Sequence, residues 1–256
     1  MLLGGESPGP GRCRGGAAGR ACRLLARPVH SLRRADTPRA APGAGIREPR
    51  EAVLPDLDEV DAVELGCGGG QGTVGLAREG ADAVGVDFST AQLAHARRLR
   101  DAYGVDAQFL AGDVTALPLA ESAFDLAYCP WVFQMVDDLD SAFAEARRVL
   151  RAGGAFVFAV PHPFYETFDP EACELDRSYF ERGPKRESIG DYDPDLLVFH
   201  HRVADYHQAL VDSGFTVERL LEPGSPDPDD YEEQWSHKPE LMAKVPPALV
   251  VRAVAE

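Results

Sequence analysis

A glycine-dense turn at residues 66–72 places the strongest constraint on how this chain can fold. Five of its seven residues are glycine, the mostly apolar run Ala62–Leu65 precedes it, and a helical apolar pattern follows at once. Glycines at a strand end let the chain reverse sharply, and they let a ligand approach the free N–H groups that open the next helix. The turn therefore predicts a strand–turn–helix unit that holds a ligand at the carboxyl edge of a parallel sheet.

Strand-like and helix-like segments alternate from about residue 60 onward, with short connections. The predicted strands are DAVELG, DAVGVDFS, AQFLAGDV, FDLAYCPW, AFVFAVP, FTVERLLE and ALVVRAVA. Helices are predicted at 71–79, at TAQLAHARRLRDAYG, at DLDSAFAEARRVLRAGG up to its glycine pair, and at VADYHQALVDSG. This order predicts a Rossmann-like, doubly wound α/β fold with a seven-stranded sheet, mostly parallel with an antiparallel last strand, and helices on both faces.

Two different compositions are joined along the chain. Residues 1–50 carry ten arginines against three acidic residues and no aromatic residue, whereas the remainder has a formal charge of about −23. We expect residues 1–50 to be a disordered Arg-rich leader, either a transit-like segment or, as we favour, a gene-model artefact. Residues 51–256 are expected to form one domain, with a lid insertion at about residues 162–201, where the alternation stops.

Net charge, hydropathy and cysteine content limit the ligands and partners that we expect for this chain. A net charge of −16 repels phosphate backbones, so nucleic acid is not an expected partner, and an acidic, salt-adapted proteome is a plausible source. No apolar run is long enough to span a membrane, and five cysteines without a C-x-x-C pair suggest neither disulfides nor a metal site. We expect a cytoplasmic protein that acts on a small molecule, and the oligomeric state stays open.

The register of the glycines separates two ligand classes. A G-x-G-x-x-G match from Gly70 to Gly75 opens four residues after the predicted strand end, which is the wrong place for a dinucleotide fingerprint. The pattern that begins at Gly66 places Glu64 two residues before its first glycine. A carboxylate there does not suit an anionic pyrophosphate but does suit a cationic ligand.

These residues carry a resemblance to a known family. VELGCGGGQG resembles motif I of the class I S-adenosylmethionine-dependent methyltransferases, and GDVTALPLAESAFDLAYC, RRVLRAGGAFVFAVPHP and DYHQALVDSGFTVERLLEP resemble later motifs in the family's order. The resemblance covers about residues 61–255 and is similar to the methyltransferase domains of ubiquinone and menaquinone biosynthesis enzymes. It implies S-adenosylmethionine as cofactor and methyl transfer to a small-molecule acceptor.

The resemblance also implies which residues contact the cofactor. The glycines of the turn would lie under the methionine part, Glu64 would help hold its ammonium group, Asp87 would accept from the ribose hydroxyls, and Asp113 would accept from the adenine amino group. Phe88 would lie along the adenine or, alternatively, be a buried aromatic at a strand end. Asp113 has the alternative of a turn-forming residue. The full predicted set is Glu64, Gly66, Cys67, Gly68, Gly70, Asp87, Phe88, Asp113, Val114 and Cys129.

Candidate acceptor-facing residues follow the fourth and fifth predicted strands and continue into the lid. They are Trp131, Phe133, Gln134, Tyr165, Tyr179, Tyr192 and His200. His200, like His201 beside it, has the alternative of capping or packing at the start of the last predicted helix. Phe180 belongs with the lid aromatics. His162 is the candidate catalytic base, with the alternative of a loop histidine that fixes local backbone. Methyl transfer from a sulfonium requires no metal, and none is predicted.

Two further functions stay open at this level. Relatives of the family carry an aromatic helix before the first strand, and residues 1–50 offer no such segment, so a non-catalytic S-adenosylmethionine-binding protein is one alternative. An NAD(P)-dependent oxidoreductase is the other, and Glu64 together with the glycine register disfavours it.

Overall fold

The computed structural model describes residues 53–169, 171–187, 196–231 and 238–256. The predicted leader and Tyr192 therefore lie outside the described residues. Within these ranges no helix is both long and apolar enough to cross a membrane.

Strands and helices alternate along the described residues as the sequence pattern predicts. The strands are β1 (Asp61–Leu65), β2 (Asp82–Asp87), β3 (Ala107–Ala111), β4 (Phe124–Pro130), β5 (Leu150–Pro161), β6 (Phe168–Asp169), β7 (Glu174–Leu175), β8 (Pro184–Glu187), β9 (Leu196–Phe199), β10 (Phe215–Leu221) and β11 (Ala248–Ala255). The helices are α1 (Gln71–Arg78), α2 (Thr90–Tyr103), α3 (Leu139–Val149), α4 (Val203–Asp212) and α5 (Pro239–Met242).

Seven of these strands form one sheet in the order β10-β11-β5-β4-β1-β2-β3. The strands β1 to β5 pair in parallel, whereas β11 is antiparallel to both of its neighbours, β5 and β10. The predicted Rossmann-like sheet with an antiparallel last strand is confirmed. Strand order reverses at β1, because β2 lies on one side of it and β4 on the other, and this reversal is where open α/β sheets bind ligands.

Local signals set the ends of the second helix as predicted. The Ser89 side chain accepts a hydrogen bond from the Gln92 N–H at 3.3 Å and so caps the first turn of α2. Gly104 ends the helix in the left-handed conformation, with φ of 62°.

The end of α3 differs from the prediction. The glycine pair was expected to stop the helix, but α3 ends at Val149, and Leu150 is extended and pairs with Phe124 of β4. Leu150 is fully buried, so pairing and burial at this position outweigh the helical propensity of the sequence. Gly153 instead lies within β5 with φ of 80°.

An aromatic cluster fixes α3 against the sheet. Phe133, Phe143, Phe156 and Phe158 are fully buried, and the centroids of their rings lie 4.9–5.9 Å apart. Burying each of these side chains contributes on the order of 2 kcal/mol. The cluster holds the carboxyl ends of β4 and β5 in place, next to the loops that follow them.

The stretch between β5 and α4 contains its own small elements. β6 pairs with β7, and β8 pairs with β9, in two antiparallel ribbons outside the main sheet. A separate apolar cluster of Tyr165, Tyr231, Leu241, Met242 and Val245 packs beneath the first ribbon. That this insertion acts as a lid stays a prediction.

Candidate functional site

The turn after β1 adopts three left-handed glycine conformations. Gly66, Gly68 and Gly70 have φ of 69°, 50° and 80°, a region that side-chain-bearing residues rarely adopt. The Cys67 N–H donates to the Val86 carbonyl at 2.9 Å and thereby ties the turn to β2. The backbone of the turn is therefore fixed by the neighbouring strand.

The three glycines differ in what a side chain would meet. A Cβ atom on Gly66 would lie 2.5 Å from Val132 Cγ2, and one on Gly70 would lie 2.6 Å from Ala96 Cβ. A Cβ atom on Gly68 would meet nothing within 4 Å. Protein packing explains the first two glycines, whereas Gly68 presents bare backbone to open space at the carboxyl end of β1.

Asp87 links the glycine turn to the end of β2. Its Oδ2 accepts from the Gly68 N–H at 2.7 Å, and its Oδ1 accepts from the Ser89 N–H at 2.8 Å. A carboxylate offers about four acceptor positions, so these two bonds leave capacity for the hydroxyl groups of a ligand. Asp87 is thus held rigidly next to the open face of Gly68.

Phe88 extends into solvent immediately after Asp87. Its side chain is 83% exposed, so the alternative of a buried aromatic at the strand end is wrong. An exposed phenyl ring beside a fixed carboxylate offers a flat apolar surface to a ligand. Contact with adenine stays a prediction that this geometry supports.

Glu64 is buried under the turn. It is 3% exposed, and its Oε2 accepts from both the N–H and the hydroxyl of Thr73 at 2.5 Å. A Cβ atom on Gly72 would lie 2.0 Å from its other oxygen, Oε1. Burial raises the pKa of Glu64 to about 8, although the Thr73 hydrogen bonds oppose this shift. Its carboxyl group therefore holds the start of α1, and the predicted contact with an ammonium group stays a prediction.

Asp113 forms a turn after β3. Its Oδ1 accepts from the N–H and the hydroxyl of Thr115 at 2.9 and 2.8 Å, and these bonds lower the pKa of Asp113. The turn-forming alternative is therefore realised, while the carboxylate remains exposed at the ligand edge. Val114 beside it is partly buried against the main core.

Two predicted cofactor residues have side chains in the core. Cys67 packs with Val74, Leu93 and Phe109 between α1 and α2, and Cys129 has no exposed surface. The pleat of β4 and the tight turn point both thiols inward, so the side chains pack in the core, and contact of these two residues with the cofactor stays a prediction. Burial raises the pKa of both thiols well above the ordinary value, which suits a packing role.

Two predicted acceptor-facing aromatics are also core residues. Phe133 belongs to the fully buried aromatic cluster, and Tyr165 is buried in the apolar cluster beneath the first ribbon. Burial raises the pKa of Tyr165 to about 12. Neither ring faces a site, because each fills space between elements that are distant in sequence.

The geometry of His162 favours the structural alternative over the catalytic one. Its Nδ1 accepts from the Phe164 N–H at 3.1 Å, so the proton lies on Nε2, which donates to Glu222 Oε1 at 2.9 Å. The ring is buried, and burial lowers its pKa. Both nitrogens are occupied by the protein itself, so the assignment of His162 as a base is not supported.

An acceptor-side cleft opens beyond the ends of β4 and β5. It is a small cleft that opens to solvent and is not an enclosed cavity. The polar residues that line it include Gln134, Glu166, Arg177, Lys185, His200 and His201. Of the predicted acceptor-facing residues, Gln134 and His200 are among these, while the cationic residues were not predicted.

Trp131 and Gln134 contain buried polar atoms that have no hydrogen-bond partner among the described residues. Trp131 adopts φ of 59°, an unusual conformation for a residue with a side chain, and its Nε1 has no hydrogen-bond partner. Gln134 Nε2 donates to the Trp131 carbonyl at 2.9 Å, which leaves Gln134 Oε1 buried without a donor. Strain and unpaired polar atoms of this kind are typical of functional sites.

Lid aromatics pack around His200. The Tyr179 carbonyl is 3.0 Å from His200 Nε2, and the Tyr179 hydroxyl accepts from the Val203 N–H at 3.2 Å. Phe180 is 75% exposed beside Tyr179. Tyr179 therefore joins the insertion between β5 and α4 to the start of α4, and its ring packs against the cleft residue His200.

Several residues that shape the site were not found from the sequence. Val132 lies close to Gly66, and Thr73 donates hydrogen bonds to Glu64. No local sequence pattern predicts either contact. The basic residues near Arg177 could have been found from the sequence, because four cationic residues fall within residues 177–186 of an otherwise acidic chain.

Comparisons with known proteins agree with this geometry. Residues 63–158 match the family model described as a methyltransferase domain. A demethylmenaquinone methyltransferase of Thermus thermophilus is 36% identical over 119 residues, which is 45% of this chain and 54% of the relative. A malonyl-(acyl-carrier protein) O-methyltransferase of Pectobacterium atrosepticum is 32% identical over 108 residues, which is 42% of this chain and 41% of the relative. The matches thus span about half or less of these curated relatives.

A solved structure extends the likeness over most of the fold. An S-adenosylmethionine-dependent methyltransferase from Mesorhizobium loti has a TM-score of 0.64 and 29% identity, and the match covers 80% of this chain and 94% of that one.

Fold and site together define an α/β protein whose strand order reverses at the edge where proteins of this architecture bind ligands. In fold the chain is similar to S-adenosylmethionine-dependent methyltransferases, and residues 63–158 match a methyltransferase domain. S-adenosylmethionine, the cofactor of that class, fits the open face of Gly68 and the spare acceptor capacity of Asp87.

Proposed function

We propose that this protein transfers a methyl group from S-adenosylmethionine to a small-molecule acceptor. The observation that carries the proposal is the pairing of Gly68 with Asp87, in which bare backbone facing open space is fixed to a carboxylate with spare acceptor capacity. The demethylmenaquinone and malonyl-carrier relatives support an acceptor that is small or is presented on a carrier.

The residues of this chain contribute mainly by positioning. When bound, S-adenosylmethionine supplies the electrophilic methyl group. Asp87 would accept hydrogen bonds from hydroxyl groups of the cofactor, and Phe88 would cover an apolar face of it. Gln134 and Trp131 would orient the acceptor beside the ends of β4 and β5. Holding two reactants in line contributes much of the rate in such reactions, so no base from the protein is required for a neutral amine or a stabilised carbanion.

The proposed setting is the cytoplasm, with no nucleic-acid or membrane partner. An acidic chain with a net charge of −16 and few cysteines supports this setting. Among the described residues, no group of three His, Cys, Asp or Glu side chains is placed to hold a metal ion.

A cofactor-binding comparison tests the first half of the proposal. Calorimetry on the full chain should show binding of S-adenosylhomocysteine and none of NADH. Asp87→Asn should weaken S-adenosylhomocysteine binding about tenfold or more, because charge-assisted hydrogen bonds are lost. Asp82→Asn, an exposed change at the start of the same strand, is the matched control and should leave binding unchanged. Preferential binding of NADH would instead favour an oxidoreductase.

A transfer experiment tests the second half. The full chain is incubated with methyl-labelled S-adenosylmethionine and a cell extract, and the small-molecule fraction is profiled. We expect label in that fraction with the unchanged chain and with Asp82→Asn, and much less with Asp87→Asn. Cofactor binding without labelled product in any fraction would favour a non-catalytic binding protein.

A further inference from the structure

The acceptor-side cleft carries positive charge in an acidic protein. Arg177 and Lys185 line it together with one carboxylate, Glu166, and the two adjacent histidines His200 and His201. The whole chain has a net charge of −16, so a cleft with more cations than anions departs from the rest of the molecule. Such a cleft favours an anionic ligand.

Among the cationic residues of the cleft, Arg177 has a fixed backbone and a guanidinium group that makes little contact with the described residues. Its backbone N–H donates to the Thr167 carbonyl at 3.2 Å, and Thr167 is fully buried. The position of the Arg177 backbone is therefore fixed. Its Nε is buried without a partner, and the only bond from its guanidinium group to the described residues is a long 3.4 Å contact with the Glu181 carbonyl. No ion pair to Arg177 is seen among the described carboxylates. The planar fork that Arg uses to bind a carboxylate or phosphate is therefore unused.

Gln134 defines a second polar position in the same cleft. Its amide orientation is set by the bond from Nε2 to the Trp131 carbonyl, because the reverse orientation would place two oxygens together. The remaining atom, Oε1, is a buried acceptor that needs a donor. A hydroxyl or amine group of a ligand would meet that need.

His200 and His201 are the remaining polar residues considered in the lining of the cleft. Nε2 of His200 lies 3.0 Å from the Tyr179 carbonyl, and Nε2 of His201 lies 2.7 Å from the Val136 carbonyl. A carbonyl only accepts, so both Nε2 atoms carry protons and both rings are held in place. The histidines therefore fix the shape of the cleft around the Arg177 guanidinium.

We propose that the methyl acceptor is a small molecule that carries an anionic oxygen group, bound by Arg177, and a hydroxyl or amine group that donates to Gln134 Oε1. This inference rests on the proposed methyl-transfer function and names its substrate class. Carboxylate and phosphate share the chemistry that the Arg177 fork recognises, and the probes below separate them.

The test uses the full chain saturated with S-adenosylhomocysteine and four defined probes. They are para-hydroxybenzoate, its neutral isostere para-hydroxybenzamide, benzoate, which lacks the hydroxyl group, and para-hydroxyphenyl phosphate. Affinity is measured by calorimetry. We expect one of the two hydroxylated anions to bind at least about tenfold more tightly than the amide, and benzoate to bind more weakly than para-hydroxybenzoate.

Variants assign the two contacts to named residues. Arg177→Gln should reduce the affinity for the anionic probes about tenfold or more, and Arg177→Lys should give an intermediate loss, since the charge remains but the fork does not. Arg186→Gln is the matched control, because Arg186 is an exposed residue next to Lys185 that does not line the cleft. Gln134→Met should abolish the difference between para-hydroxybenzoate and benzoate.

The outcomes separate this inference from the proposed function. If the unchanged chain binds S-adenosylhomocysteine but treats the amide and the anions alike, or binds no anionic probe, the anionic acceptor is wrong and the methyltransferase proposal stands. Loss of S-adenosylhomocysteine binding in the unchanged chain overturns the proposed function itself. Equal losses in Arg177→Gln and Arg186→Gln would show a general charge effect and also overturn the assignment. Circular dichroism checks folding, and Arg177→Lys carries the test if Arg177→Gln does not fold.

Discussion

The proposed cofactor edge and the proposed acceptor edge of this protein are built in different ways. The cofactor edge lies within residues 64–89 and uses backbone conformation, with glycines at positive φ and N–H groups bound to Asp87. The acceptor edge draws side chains from residues as far apart as Gln134 and His201. A backbone-built site depends on a few residues close in sequence, whereas a side-chain-built site depends on how a whole insertion packs.

The two edges also differ in how completely their polar atoms are paired. At the cofactor edge, both oxygens of Asp87 already accept backbone hydrogen bonds. At the acceptor edge, three buried atoms find no partner in the part of the chain that the structure describes: Trp131 Nε1, Gln134 Oε1 and Arg177 Nε. The first edge is organised before any ligand arrives, while the second has polar groups that a ligand would satisfy.

The largest expected effect comes from a substitution that disturbs the backbone of the cofactor edge. Gly70→Ala would place a methyl group 2.6 Å from Ala96 Cβ and 2.9 Å from Phe109 Cζ, at φ of 80°. Backbone strain and overpacking together should lower the free energy of unfolding by about 4 kcal/mol in denaturant titration. Gly104→Ala, at φ of 62° with open space around it, is the control and should cost only about 1 kcal/mol. Equal losses would mean that α2 moves aside easily and that the turn is less rigid than its geometry indicates.

The next effect concerns the proton on Glu64. Burial raises the pKa of Glu64 from 4.5 to about 8, so the folded protein holds a proton that the unfolded chain releases. The stabilisation from this group is complete below the unfolded pKa and is lost as the pH rises toward the folded pKa. Between these two values the free energy of unfolding should therefore fall as the pH rises.

Glu64→Gln supplies the check on this pH dependence. A neutral amide at this position should flatten the dependence of stability over the same window, measured by denaturant titration at several pH values. Glu240→Gln, an exposed change on α5, should leave the slope as it is in the unchanged chain. A slope that survives Glu64→Gln would assign the pH dependence to other groups.

The fold and the backbone of the cofactor edge could be predicted because their signals are local. The glycine register from Gly66 and the strand-end position of Asp87 are readable from adjacent residues, and the sheet follows from alternation. The end of α3 could not be predicted, since Leu150 leaves the helix to pair with Phe124, a residue distant in sequence.

Side-chain orientation explains the remaining errors. Phe133 and Tyr165 follow strand ends, as acceptor-facing residues do, yet each is buried by elements that only the folded chain brings near. Arg177 faces the cleft because the turn at Thr167 holds its backbone, which no spacing rule encodes. Aromatic rings fill cores and line pockets equally well, so composition alone does not separate these roles.

A smaller effect distinguishes a glycine that faces the proposed cofactor from a glycine that faces only solvent. Gly68→Ala should lower the free energy of unfolding by about 1 kcal/mol, the same as Gly104→Ala, because neither new methyl group meets a neighbour within 4 Å. Only Gly68→Ala should weaken S-adenosylhomocysteine binding, by about tenfold or more, since its methyl group enters the proposed cofactor site. Calorimetry on both variants measures this difference. Unchanged affinity in Gly68→Ala would place the cofactor elsewhere along the sheet edge.

The smallest effect tests the exposed ring at the cofactor edge. Phe88 is 83% exposed, so Phe88→Ala should change the free energy of unfolding by less than about 0.5 kcal/mol. A stacked pair of aromatic rings is worth about 0.5–1.5 kcal/mol, so S-adenosylhomocysteine affinity should fall roughly twofold to twelvefold. Tyr103→Ala removes another exposed ring, at the end of α2, and should leave the affinity unchanged. Equal affinities in the two variants would mean that Phe88 meets a different partner, and the cofactor edge would then rest on its backbone and Asp87 alone.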